Sequence, residues 1–146
     1  MKIYLDMCCY NRPYDDQTQM KIALETQAKL YIQQLIRERC LNLVGSYTLD
    51  YECSNVPVST RKEARMKFIN DNVCYHVSVE RNEIISKKAA LIMTAGVKEK
   101  DAYHLASAIY AECEYFISTD LRLLKYKTDE IKMVTPIEFI IKLEGD

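Results

Sequence analysis

Short apolar segments alternate with amphipathic stretches along the whole chain, and this alternation restricts the possible fold more than any other feature. Strand-like runs fall at residues 2–8, 41–47, 75–79, 115–119 and 133–135. Helical spacing occupies the intervals. Between residues 17 and 39, Met20, Leu24, Ala28, Tyr31 and Leu35 recur on one face, opposite a polar face of Gln and Lys. Further helices are expected over residues 61–70, 82–95, 101–113 and 136–143, with short helical turns over 50–54 and 121–125. Ser59 or Thr60 can cap the helix over 61–70, Thr60 and Glu63 having capping-box spacing; Gly96 is a natural left-handed stop, and Pro136 suits a first helical turn. Residues 11–16 read as a turn around Pro13, and Pro57 interrupts the pattern between helices. Strands alternating with helices imply a parallel, doubly wound sheet with right-handed crossovers. The expectation is an α/β fold in one domain over residues 1–146, with three layers and helices on both faces of a central parallel sheet.

Composition agrees with a packed domain. A chain of 146 residues, 49% hydrophobic and with only 3 Gly and 3 Pro, is neither loop-dominated nor disordered. The net charge of -1 excludes a globally basic nucleic-acid surface but leaves room for local patches. Six Cys, including adjacent Cys8 and Cys9, occur without a CxxC motif or paired His/Cys ligand spacing. With no leader-like N-terminus, buried thiols in a reduced cytoplasmic protein are expected. No apolar run approaches the ~20 residues that a membrane-spanning helix needs, so no membrane partner is expected.

Against this frame, four acids fall at strand ends or helix starts. Asp6 follows Ile3, Tyr4 and Leu5; Glu52 lies just past the second strand; Asp101 opens the run Asp101-Ala102-Tyr103-His104-Leu105-Ala106; Asp120 follows Ser118 and Thr119. In a doubly wound sheet such positions meet in the crevice outside the carboxyl ends of the strands. Carboxylates gathered there repel one another unless a cation neutralises them. Each has a plainer reading. Asp101 and Asp120 are well placed as helix caps, and Asp50 competes with Glu52. Asp6 is harder to explain structurally, because a carboxylate ending an apolar strand is costly to bury without a partner. Together, the four point to a metal-dependent site.

These residues resemble a known pattern. The Asp6 strand, Glu52, the Asp101-Ala102-Tyr103-His104-Leu105-Ala106 run and the later Ser118-Thr119-Asp120 resemble the PIN-domain family in order and spacing, over nearly the whole chain. The resemblance implies a flavodoxin-like arrangement and a Mg²⁺- or Mn²⁺-dependent nuclease acting on single-stranded RNA. It also implies a VapC-type toxin held by an antitoxin, with a homodimer common among small members. By this resemblance Asp6, Asp101 and Asp120 are metal ligands, and Glu52 completes the set or positions water. All-oxygen ligands select hard cations. Ser118 is expected to hydrogen-bond one carboxylate. One departure stands out: Cys8 occupies a position where the family carries Asn or Ser, and Asn11 is the nearest substitute.

Arg12, Lys98, Lys100 and Arg122 flank the acids and are the expected phosphate contacts. Tyr10, Tyr14, Tyr47 and Tyr51 lie near the acids in sequence; stacking on bases and ordinary ring burial are both open to them. His104 is expected to be structural. Two other readings compete with the nuclease: a catalytically silent PIN-like module that binds RNA or protein, and a phosphotransfer domain using Asp6 as nucleophile. The second is the weaker, because residue 8 is not the second acid of an Asp-x-Asp pair.

Overall fold

The first strand shows how the sheet divides the core. In the computed structural model, which describes residues 1–11, 15–55 and 59–145 and of Asn11 the backbone alone, β1 spans Lys2–Leu5. Ile3 and Leu5 point to one face and Tyr4 to the other, as strand geometry requires. The same alternation separates Leu43 from Val44 on β2 (Asn42–Ser46), and Tyr115 and Ile117 from Phe116 on β4 (Tyr115–Ile117). With β3 (Val73–Val77) and β5 (Lys132–Val134), these strands form a five-stranded sheet in the order β3-β2-β1-β4-β5. Every pairing is parallel.

Helices cover both faces. Ile3, Leu5, Leu43 and Ile117 pack with Ile32 and Ile36 of α2 (Met20–Arg37), Phe68 and Ile69 of α4 (Thr60–Asn72) and Phe139 of α7 (Pro136–Glu144). On the opposite face, Tyr4, Val44 and Phe116 meet Ile85, Ala89 and Ile92 of α5 (Asn82–Met93) and Leu105 and Ala108 of α6 (Glu99–Tyr110). The expected α/β class, with a central parallel sheet between helical layers, is the architecture observed. None of the helices among the described residues is long and apolar enough to cross a membrane.

Several local expectations need correction. β1 stops at Leu5 rather than Cys8, because Asp6 donates its N–H to Ile117 and then starts α1 (Met7–Asn11). The turn carrying Glu52 is a full helix, α3 (Tyr47–Ser54), capped by the Ser46 hydroxyl, which accepts from the Leu49 N–H. Ser59, not Thr60, caps α4, and the capping box lies instead at Thr135 and Glu138 of α7. α6 begins two residues before Asp101. Gly96 does adopt a left-handed φ of 92°, just past the end of α5. Expectations resting on Arg12, Pro13, Tyr14, Pro57 and the Asn11 side chain lie outside the described residues.

The order of the strands fixes where a ligand site forms. Chain progression runs outward from β1 to β2 and β3 on one side, and to β4 and β5 on the other. Such a reversal leaves a crevice at the carboxyl ends of β1 and β4. Asp6 and Ser118 lie at that edge, immediately after the two strands.

Candidate active site

Asp6 is 6% exposed, and short contacts fix both of its carboxylate oxygens. The Met7 N–H donates to Oδ1 at 2.9 Å, and the Ser118 hydroxyl donates to Oδ2 at 2.9 Å. The Cys8 thiol adds a longer, weaker contact to Oδ2 at 3.4 Å. Ser118 is itself oriented, because its oxygen accepts the Asp120 N–H at 3.0 Å. Cys8 accepts the Thr119 N–H at 3.3 Å. The bond expected from Ser118 is therefore present. The hydroxyl of Ser118 supplies the strong contact that a side chain at position 8 lacks.

Glu52 is held differently. Its Oε1 lies 2.7 Å from His104 Nε2, and His104 Nδ1 lies 2.6 Å from the Tyr4 hydroxyl. Tyr4 in turn is 2.7 Å from the Ser46 hydroxyl. Burial raises the Tyr4 pKa far above its ordinary value, so the phenol stays protonated. Tyr4 at Nδ1 and Glu52 at Nε2 together give both ring nitrogens of His104 a partner. His104 is structural, as expected, but the relay linking it to Glu52 was not legible in the sequence. The two ring nitrogens of a buried His on the Asp101 helix were its only signal.

The competition between Glu52 and Asp50 is decided by direction. Residues two apart on a helix point to different sides. Asp50 meets the exposed His76 at 2.7 Å, whereas Glu52 turns to buried His104. Burial pushes the Glu52 carboxyl up, but the hydrogen bond and charge of His104, then Lys100 and Arg65, outweigh it and hold the group below its ordinary value. Glu52 is ionised at neutral pH.

Asp101 lies in the first turn of α6, makes no cap bond, and is half-buried. Its carboxyl is raised above the ordinary range, first by burial and then by the negative charges of Asp6 and Asp120, with a smaller contribution from Glu52. Asp6, Asp120 and Glu52 thus all act on Asp101. Asp120 is exposed and partly a cap, as its plainer reading anticipated: Oδ1 accepts the Arg122 and Leu123 N–H groups at 3.0 and 3.3 Å.

The donor set can be tested against a divalent cation. The oxygen-only carboxylates suit Mg²⁺ or Mn²⁺ rather than zinc. The mutual repulsion felt at Asp101 is what a cation would relieve. Among the described residues, no three His, Cys, Asp or Glu side chains already converge on one point. The fit is therefore to an ion that takes one or two carboxylates and keeps several waters, which is the habit of Mg²⁺.

Two cavities flank the acids. One, of about 740 Å³, is lined by Asp101 and Asp120 together with Lys21, Lys98, Arg122 and Lys125. It contains two of the expected phosphate contacts, Lys98 and Arg122, and adds Lys21 and Lys125, which sequence proximity did not indicate. The other, of about 450 Å³, lies between α3 and α6 and holds Lys100 and Glu52 with three tyrosines. Of the tyrosines considered for stacking, Tyr10 is buried in the core, and Tyr47 and Tyr51 line this second cavity beside Tyr103.

No protein-family model matches the chain, and no curated protein matches it in sequence. Solved structures do match in fold. VapBC2 from Rickettsia felis, bound to a DNA fragment from its promoter, contains a chain with TM-score 0.55 and 9% identity, covering 91% of this chain and 97% of that one. FitAB bound to the IR36 DNA fragment matches with TM-score 0.57 and 14% identity, over 92% of this chain and 94% of that one. FitAcB from Neisseria gonorrhoeae matches with TM-score 0.56 and 15% identity, over 92% and 98%. At these identities the likeness is one of fold.

Proposed function

We propose that this chain is a divalent-metal-dependent endoribonuclease of PIN type that cuts single-stranded RNA, and that it is the toxin of a toxin–antitoxin pair. The first part is supported by Asp6 and Asp120 lying just beyond β1 and β4, by the charge effects of Asp6, Asp120 and Glu52 on Asp101, and by a neighbouring cavity rimmed by lysines and an arginine. The second part rests on the motif resemblance and on the fold shared with VapBC2 and FitAB.

In this reading Asp6, Asp101 and Asp120 would hold the ion, one or two of them directly and the rest through water, and Glu52 orients water. When bound, the ion polarises the phosphate and makes a nearby water more acidic. The chain's own groups do the positioning. Met7 N–H and Ser118 O–H hold the Asp6 carboxylate in one orientation. The ionised Glu52, steered by His104, accepts a hydrogen bond from the attacking water. Lys98, Arg122, Lys21 and Lys125 hold backbone phosphates that the acids would otherwise repel. The Ser118 bond to Asp6 speaks against the silent-module reading, because the carboxylate is oriented without an Asn or Ser at position 8.

The test is cleavage of a labelled single-stranded RNA by the purified protein with Mn²⁺ or Mg²⁺, with a chelator, and with Asp6→Asn. Metal-dependent cleavage that chelator and variant both abolish, with an unchanged far-UV spectrum, is expected. Full activity of the variant would sink the assignment. Co-purification of a small partner protein that inhibits cleavage tests the toxin reading.

A further inference from the structure

The cavity between α3 and α6 differs in chemistry from the cationic one. Tyr47 and Tyr51 lie one helical turn apart on α3 and so share a face, and Tyr103 approaches from α6. The Tyr47 ring is fixed, because its hydroxyl donates to Asn82 at 2.9 Å. Tyr51 is 66% exposed, a large aromatic surface left open at the cavity wall. Thr48 also lines the cavity; it is only 9% exposed, and its hydroxyl has no hydrogen-bond partner.

What fills such a cavity is constrained by its neighbours. Glu52 belongs both to this wall and to the acid cluster, and Lys100 adjoins Asp101 in sequence. An occupant therefore lies beside the phosphodiester that the acids act on. It must be flat enough to contact rings and apolar on its faces. It must also be joined to an anion that the lysines on the other side of the acids hold. A base of a single strand satisfies all of these conditions, since every base has a π-face and donors or acceptors at its rim.

We propose that the Tyr47–Tyr51–Tyr103 cavity is a nucleobase pocket: it takes one unstacked base of the RNA while the adjoining phosphates run across the acids into the cationic cavity. This rests on the ribonuclease reading above and adds to it the part of the substrate recognised. The strand is read asymmetrically, by a base on the α3 side and by backbone charge on the α5–α6 loop side.

The experiment uses Asp6→Asn protein, so that RNA is bound but not cut, and follows fluorescence anisotropy of a labelled twelve-nucleotide single strand at fixed salt. A set of strands carrying one abasic position each is compared with the complete strand. One abasic position is expected to weaken binding about tenfold, in the range of a lost base–aromatic stack. Adding Tyr51→Leu is expected to weaken the complete strand by a similar factor and to remove that abasic penalty, while Tyr51→Phe retains both. Tyr51 is exposed, so its replacement leaves the core intact. Tyr103→Leu is a second variant, checked for folding first.

Leucine keeps apolar area but not stacking. If Tyr51→Leu binds RNA as tightly as its parent while wild-type protein cleaves RNA with Mn²⁺, the pocket is not a base site and only this inference fails. The same holds if the cavity is occupied instead by a protein partner whose binding Tyr51→Leu preserves. If neither binding nor metal-dependent cleavage is seen, the ribonuclease reading fails and the base pocket fails with it.

Discussion

Asp6 and Glu52 both act on Asp101 but are anchored in opposite ways. Asp6 is held at the surface of the sheet by its own chain neighbour and by Ser118 from the adjoining strand end. Glu52 is held through the core, by a chain of side chains that runs from His104 to Tyr4 and Ser46. The first anchor uses groups that exist wherever β1 and β4 pair. The second exists only if β1, β2 and α6 are all in place. Chemistry at Asp6 is thus separable from folding, whereas positioning of Glu52 is part of folding.

Substitutions that remove one anchor at a time put this contrast to the test. The largest effect on activity is expected from Asp6→Asn, with RNA cleavage reduced by about 10²–10³-fold, the scale of removing one electrostatic participant. Its urea midpoint should stay close to that of the parent. A collapse of stability with activity would mean that Asp6 is a folding residue. His104→Ala should lower stability as well as activity, costing about 2–4 kcal/mol in urea unfolding. It leaves a cavity, removes one of the two hydrogen bonds of the buried Tyr4 hydroxyl, which keeps Ser46, and releases Glu52. Tyr4→Phe, which keeps the ring, should cost about 1–3 kcal/mol, because His104 Nδ1 then has no partner.

Within the Asp6 anchor the contrast is between oxygen and sulfur. Ser118→Ala is expected to lower metal affinity or cleavage by about tenfold, as loss of a group that orients a ligand does. Cys8→Ser should change either by no more than about twofold, since the thiol bond is long and weak. Isothermal titration with Mn²⁺ separates the two variants. A larger loss for Cys8→Ser would reverse the assignment of the strong contact.

The smallest expected effect is a gain. Asp101 is pushed up by burial and by Asp6 and Asp120, so at neutral pH without divalent ions its charge opposes folding. Asp101→Asn should raise stability by about 1 kcal/mol after solvent screening, or Tm by about 2–4 °C. The sign with pH follows from linkage: the folded state binds this proton more tightly than the unfolded state, so wild-type protein recovers the difference as pH falls through the raised value. Adding Mn²⁺ should erase the gain by stabilising the wild type alone. A variant that is less stable at every pH would show Asp101 to be a structural cap.

Much of the site was legible because acids after apolar strands leave few structural explanations. Asp6 was singled out on that ground, and its short hydrogen bonds are what a buried carboxylate requires. Ser118 was readable through the family resemblance, from its position two residues before Asp120. Lys21 and Lys125 were not, since neither is close in sequence to an acid that draws attention. Tyr103 carries no signal of its own inside the Asp101 run; only the approach of α6 to α3 brings it to Tyr47 and Tyr51. α1 was missed because Met7, Cys8 and Cys9 continue an apolar run, and nothing in that run marks the change from strand to helix.

Periodicity in the sequence was enough to set the alternation of strand and helix and to bring out four acids near element ends. These are local matters, set by periodicity and by the cost of burying charge. Tertiary structure alone decided which of Asp50 and Glu52 turns to the crevice, how His104 reaches Tyr4, and which cations and tyrosines share a wall with the acids. Those depend on the strand order β3-β2-β1-β4-β5 and on the approach of α3 to α6. They are contacts between residues up to about a hundred positions apart, such as Tyr4 and His104, which no local pattern encodes.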